Sequence, residues 1–120
     1  MMDRRMGFRI PFAGSLISYV ADRPLIGLIS DLSDSGIGWQ ATSRRAPALG
    51  TRLALELPMA AMRETLWAHA EVCYRAPIGA TTQLGVRFLA MANVHARALR
   101  DYCQTTRTAH LDTLLARIRA

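Results

Sequence analysis

The fold of this chain is decided by the stretch LIGLISDLSDSGIGW, which covers residues 25–39. Apolar residues at both ends enclose the polar hexamer 31–36, a pattern that predicts two strands joined by a compact turn. Strand side chains alternate, so Asp31 and Ser33 project on the same side where the chain is extended. Gly36 permits a positive φ or the close approach of a bound group, because it lacks a Cβ. The hexamer therefore suits recognition of a polar ligand by hydrogen bonds.

A basic segment with the sequence RRMGFR precedes it at residues 4–9. Arg5 and Arg9 are four residues apart, so they share a face in an extended or a helical segment. The glycine between them and the proline at position 11 argue against a settled helix, and we expect residues 1–12 to form a flexible arm. Guanidinium groups grip phosphate, stack on bases and pair with the acceptor edge of guanine, while a carboxylate at Asp31 accepts from guanine N–H groups. Arm and hexamer together can read one purine nucleotide.

Length and charge narrow the class of protein. The 120 residues are enough for one domain with its own core. All fifteen basic residues are arginine, against nine acids, which gives a formal net charge of +6. This excess favours anionic partners such as nucleotides, nucleic acid, an acidic protein face or anionic lipid, without choosing among them.

The two cysteines predict a reducing compartment. Cys73 and Cys103 are far apart in sequence and form no Cys-x-x-Cys pair, so neither a disulfide nor a zinc site is suggested. We expect free thiols and a cytoplasmic location. The chain has no apolar stretch long enough for a signal peptide or a membrane span.

Six short β-rich segments separated by turns predict an all-β barrel over residues 13–91, closed or nearly closed and antiparallel. The fourth alternates cleanly, with Leu53, Leu55 and Leu57 on one face. A dinucleotide-binding interpretation of Gly36-Ile37-Gly38 fails, because a β-rich run follows where a helix is required. The predicted strands are residues 16–20, 25–33, 36–41, 51–57, 65–75 and 83–89.

Residues 92–120 predict a C-terminal helical region, with Asn93 as the N-cap of a helix over 93–119. Four threonine-rich positions, 105–108, weaken the pattern and suggest a break or bend. Beyond them a narrow apolar stripe suits either cover of the barrel or self-association, so a homodimer through this helix stays open. The stripe consists of Leu111, Leu114, Leu115 and Ile118.

The sequence does not predict an enzyme. The three histidines, His69, His95 and His110, are scattered without metal-ligand spacing, so no metal site is expected. There is no nucleophile elbow or phosphate-binding loop, and the serines of the hexamer have no histidine nearby in sequence.

Order and spacing of the two motifs carry a family resemblance. Arg-x-x-x-Arg at 5–9, followed by Asp-x-Ser-x-x-Gly at 31–36, resembles the paired signature of the PilZ domain family. Leu84-Gly85-Val86-Arg87-Phe88 is similar to that family's late Gly-x-x-Phe strand, and a strand ending at 72–75 and a C-terminal helical region also match. The resemblance covers essentially the whole chain and implies a six-stranded antiparallel PilZ-type β-barrel with a C-terminal helix.

The resemblance implies a receptor for the bacterial second messenger cyclic di-GMP. Arg5 and Arg9 match the arginines that contact guanines and phosphates, and Asp31, Ser33 and Gly36 match the motif that lines the barrel against the guanine. A basic residue at the position of Arg4 goes, in the family, with an intercalated pair of ligand molecules. The ligand is expected to dock the arm on the barrel, and the new surface to act on an unidentified protein effector in motility, pili, biofilm formation or virulence.

Two alternatives belong to other classes. The family includes ligand-independent protein-interaction adaptors, which would keep a partner and lose cyclic di-GMP. A small basic barrel can also bind nucleic acid, but aromatic residues are few and not interleaved with arginine, which argues against that interpretation.

Overall fold

The computed structural model describes residues 9–119, apart from the side chain of Ser43. In this part of the chain six strands precede one helix. Two single 3₁₀ turns lie at Ser43–Arg45 and Ala60–Met62. The elements are β1 (Ile10–Val20), β2 (Arg23–Leu32), β3 (Gly36–Thr42), β4 (Arg52–Met59), β5 (Glu64–Ile78), β6 (Thr81–Met91) and α1 (Asn93–Arg119).

The strands form a closed antiparallel barrel in the order β1-β2-β3-β6-β5-β4. Four pairs of strands that are adjacent in sequence form antiparallel hairpins, namely β1–β2, β2–β3, β4–β5 and β5–β6. In addition, β3 pairs with β6 and β1 pairs with β4. The β1–β4 contact that closes the barrel is short and includes the pair Ser18↔Leu55. The prediction of a six-stranded antiparallel barrel followed by a helix is confirmed.

The core lies inside the barrel, because alternate residues of every strand point inward. Leu53, Leu55 and Leu57 of β4 are buried, as their alternation predicts, and Trp39 of β3 is the largest fully buried side chain. Its indole fits only because Gly27 of β2 has no side chain: a Cβ there would lie 2.2 Å from Trp39 Cδ1. Packing in this part of the barrel interior therefore depends on the large indole of Trp39 and on the missing side chain of Gly27 on the neighbouring strand.

Every strand runs further than the sequence predicts at one end or both, and the extensions of β1, β4 and β5 are the most informative. β1 begins at Ile10, which is buried and pairs with Leu32, so residues 10–12 belong to the barrel and not to the arm. Pro58 does not end β4, and Pro77 lies within β5. Pro58 pairs only with β5, and Pro77 pairs only with β6. Each proline therefore has one side without a partner strand, where the missing N–H removes no hydrogen bond of the sheet.

Helix α1 continues through residues 105–108, so the predicted break is wrong. Its first half packs on the barrel through Leu99 and Cys103, which are buried, and through an edge-to-face contact between Tyr102 and Phe12 with ring centroids 6.1 Å apart. Beyond residue 106 every described position of the helix is exposed. The threonines have low helix propensity, but they are exposed or partly exposed and disturb no packing. The backbone hydrogen bonds of the helix can therefore continue through them.

Substitution Gly27→Ala is expected to destabilise the protein by about 2 to 3 kcal/mol, because the new methyl group must displace the buried indole of Trp39. Urea unfolding followed by tryptophan fluorescence measures this loss. Leu28→Ala, on the same strand but on its exposed face, is the matched control and should cost less than about 0.5 kcal/mol. Equal effects of the two substitutions would contradict the packing argument.

Candidate functional site

The hexamer forms a tight turn between β2 and β3 that is held by the hydroxyl of Ser33. This side chain is fully buried. Its Oγ accepts hydrogen bonds from the backbone N–H groups of Ser35 at 3.2 Å and Gly36 at 3.1 Å, while the Ser33 N–H donates to the carbonyl of Gly36 at 2.9 Å. Ser33 thus shapes the turn, and its contacts are all with the turn itself.

Gly36 is required by the packing of two strands. Its φ is not positive, so the suggestion that this glycine serves a left-handed backbone is wrong. A Cβ at this position would lie 2.3 Å from the carbonyl oxygen of Val86 on β6, and 3.3 Å from Nη2 of Arg9. The close approach that the missing side chain permits is therefore that of the neighbouring backbone and of Arg9.

Arg9 and Asp31 form an ion pair at this end of the barrel, through Nη1 and Oδ1. Both side chains are partly buried, with 17% and 34% of their surface exposed. The pairing of β1 with β2 brings them together, since Pro11 lies opposite Asp31. The buried Nε of Arg9 has no hydrogen-bond partner among residues 9–119. One donor of the guanidinium group thus remains unsatisfied within the described chain.

The structure brings together four of the six residues that the sequence singles out, namely Arg9, Asp31, Ser33 and Gly36. Arg4 and Arg5 lie outside the described residues. The four have different surroundings: Ser33 is enclosed in the turn, whereas the charged pair reaches the surface. A sequence motif cannot separate the enclosed residue from the exposed ones, because it contains no information about burial.

Two glycines beside the charged pair were missed as site residues by the sequence analysis. The strand registers place Asp31, Gly38, Gly85 and Tyr74 side by side across β2, β3, β6 and β5. A Cβ on Gly38 would lie 3.1 Å from both carboxylate oxygens of Asp31, and one on Gly85 would lie 3.1 Å from Cβ of Tyr74. We call Gly38 and Gly85 the glycine floor. It is an area of backbone without side chains, in which Gly38 is buried beside the Asp31 carboxylate and Gly85 is partly exposed.

An ion pair borders the glycine floor on one side. Arg87 of β6 lies opposite Gly36 of β3 in the register, and its Nη2 donates to Oε1 of Glu71 at 2.8 Å. The Arg87 side chain is 62% exposed and keeps donors free for an anion. The sequence signal that could have found this surface is the glycine repeat at 36 and 38, together with Gly85 on the pairing strand.

The hexamer also lies near the C-terminal helix. Burial raises the pKa of the Cys103 thiol to about 11, and the nearby Asp34 carboxylate adds to this shift. Asp34 lies on the turn and Cys103 on the packed half of α1, so the turn, the helix and the start of β1 share one corner of the barrel.

Two features are absent from the part of the chain that the structure describes. Between residues 9 and 119 no group of three His, Cys, Asp or Glu side chains is placed to hold a metal ion. Among the described helices none has the length and apolar character needed to cross a membrane.

The chain belongs to the PilZ domain family, whose family model matches residues 3–105. A comparison with curated proteins gives no match.

Solved structures share this fold. The inhibitor of motility MotI/DgrA of Bacillus subtilis superposes with a TM-score of 0.77 at 18% identity, over 90% of this chain and 53% of that one. YcgR of Escherichia coli in complex with cyclic di-GMP gives a TM-score of 0.71 at 22% identity, over 92% and 49%. The chain thus spans about half the length of these two proteins. The PilZ domain of YcgR with cyclic di-GMP gives 0.67 at 22% identity, over 92% and 98%.

The two cysteines are expected to differ sharply in reactivity. At pH 8 the Cys103 thiol, with its pKa near 11, is about one part in a thousand thiolate, and it is buried as well. Exposed Cys73 should therefore react with Ellman's reagent within seconds and Cys103 much more slowly. Because the pKa is raised, the slow reaction should accelerate with increasing pH. Cys73→Ser is expected to remove the fast phase. Two equally fast thiols would contradict the packing of α1.

Proposed function

We propose that this protein is a cyclic di-GMP receptor that acts as an adaptor on a downstream protein. The observation that carries the proposal is the ion pair of Arg9 and Asp31 beside the glycine floor. Membership of the PilZ family and the cyclic di-GMP bound to YcgR support it.

Each residue has a proposed role that follows from its surroundings. Arg5 and Arg9 bind phosphates and the acceptor edge of guanine, and Arg4 supplies a further guanidinium group if two ligand molecules intercalate. Asp31 accepts from guanine N–H groups with the carboxylate oxygen that Arg9 leaves free, or aligns Arg9 for the ligand. Ser33 and Gly36 act indirectly, by holding the turn that carries Asp31.

The proposed switch is electrostatic. Cyclic di-GMP is a dianion, and it would neutralise the arginines of residues 4–9 and fix the arm 1–9 against the glycine floor. The Arg9–Asp31 ion pair already supplies one docking point for the arm, so the ligand has to order only the residues before it. The newly formed surface then acts on a protein effector, in motility or a related process.

Two further points complete the proposal. The protein is proposed to work in the cytoplasm without catalysing a reaction, which agrees with its two free cysteines and with a site built from hydrogen-bonding groups. The alternative, a ligand-independent adaptor of the same family, predicts no cyclic di-GMP binding while a protein partner is retained.

Arg5→Ala and Arg9→Ala are each expected to weaken cyclic di-GMP binding at least about thirtyfold, because each removes charge-assisted hydrogen bonds to the ligand. Isothermal titration calorimetry measures this effect, with Arg117→Ala as the control at the exposed end of α1. Arg5→Ala should leave thermal unfolding unchanged. Arg9→Ala should also cost about 1 kcal/mol of stability, because it breaks the partly buried ion pair. Binding that survives both substitutions would refute the site.

A homodimer through the C-terminal helix is proposed as the assembly. The stripe of Leu111, Leu114, Leu115 and Ile118 is exposed in the single chain, and its spacing of three and four residues matches the seam of paired helices. A second copy offers a stripe of the same composition, so the two can cover each other about a two-fold axis.

Removal of residues 109–120 is therefore expected to halve the solution mass while the barrel stays folded, because residues 109–119 are exposed in the single chain. Multi-angle light scattering measures the mass, and far-ultraviolet circular dichroism checks that the β-sheet signal is retained. An intact chain that is already monomeric at high concentration would contradict the proposed dimer.

A further inference from the structure

A second cationic site lies at the end of the barrel opposite the hexamer. Arg23 begins β2, and Arg44 and Arg45 lie in the 3₁₀ turn after β3. The three arginines line a cavity of about 1100 Å³. The rest of its lining is apolar and includes Val20, Leu25 and Pro47. We call this cavity the arginine mouth.

The charge of the arginine mouth is not compensated within residues 9–119. No acidic residue lines the cavity. The side chains of Arg23, Arg44 and Arg45 are exposed and take part in none of the ion pairs or side-chain hydrogen bonds of the described chain. Asp22 is adjacent to Arg23 in sequence, but it does not line the cavity. Three positive charges around an apolar floor leave a concentrated positive potential.

The backbone that carries these arginines is held in place. The β1–β2 hairpin turns through Ala21 and Asp22, which both have positive φ, 50° and 66°, as a two-residue type I′ turn requires. Such a conformation is unfavourable for alanine, so the strand pairing must impose it. On the other side, Nε of Arg75 donates to the carbonyl of Pro47 at 3.2 Å and ties the loop after Arg45 to β5.

The arginine mouth is separate from the candidate cyclic di-GMP site. β2 runs from Arg23 at the mouth to Asp31 at the hexamer, a distance of about 25 Å along an extended strand. β3 connects the same two ends in the reverse direction, from Gly36 to Thr42. The two sites can therefore be occupied at the same time by different molecules.

We propose that the arginine mouth binds an acidic, partly apolar segment of a partner protein. Arginine forks pair bidentately with carboxylates, and the apolar floor accepts the aliphatic side chains between them. The cavity is as large as the largest pockets that enclose a small molecule, and it is open enough for a peptide. Among residues 9–119 no aromatic side chain lines it for base stacking, and a concave mouth does not lie against a flat bilayer. This proposal does not depend on cyclic di-GMP binding.

The test uses the full chain and a fluorescently labelled peptide of about ten residues that alternates glutamate with leucine, read out by anisotropy. Arg44→Gln/Arg45→Gln is expected to weaken binding at least about tenfold, because it removes two of the three cations. Arg117→Gln/Arg119→Gln removes the same charge from the far end of α1 and should bind as the unchanged chain does. Binding should weaken with added salt, and a peptide with lysine in place of glutamate should not bind.

Several outcomes would overturn the proposal. The proposal fails if the two double variants bind the peptide equally well. It also fails if the unchanged chain does not bind the peptide at millimolar concentration. A duplex DNA or phosphatidylglycerol vesicles that bind more tightly than the peptide, and lose binding in Arg44→Gln/Arg45→Gln, would also overturn it in favour of those ligands. Cyclic di-GMP calorimetry on the same variants should be unchanged, so failure at the arginine mouth is distinguishable from failure of the receptor function.

Discussion

The hydrogen bonds of the Ser33 hydroxyl are the constraint on which the candidate site depends. They close the turn between β2 and β3 without contact with solvent, and they fix the direction in which Asp31 leaves its strand. Asp31 in turn holds Arg9, the last residue of the basic motif, against the barrel. A buried hydroxyl thus helps to determine where Arg9 attaches to the barrel, although it is enclosed in the turn itself.

The fold could be predicted because its signals are local. Alternation in residues 53–57, turn residues between the apolar runs and the periodicity of 93–119 each specify one element, and these elements are found. The starts and ends of strands were less accurate, since the first strand begins at Ile10 and two strands continue through Pro58 and Pro77. What decides those limits is which residues lie opposite them on other strands. Local sequence does not contain that information.

The site was predicted only in part for a related reason. The two motifs identify Arg9, Asp31 and Gly36, which the structure brings together. The glycine floor was missed because Gly38 and Gly85 are far apart in sequence and meet only through the pairing of β3 with β6. From the sequence, every motif residue was expected to contact the ligand. Burial separates those that reach the surface from those that hold the turn.

The uninterrupted helix α1 has a mechanical consequence. Its packed half ends near Cys103, and its free half extends to Arg119, about 24 Å further along the axis. The packed half rests on the corner that carries Asp34 and Phe12, next to the ion pair. A tilt of about 10° at this corner would carry the far tip sideways by about 4 Å. A small displacement of the packed half would therefore become a larger one at the end of α1 that carries Leu114, Leu115 and Ile118.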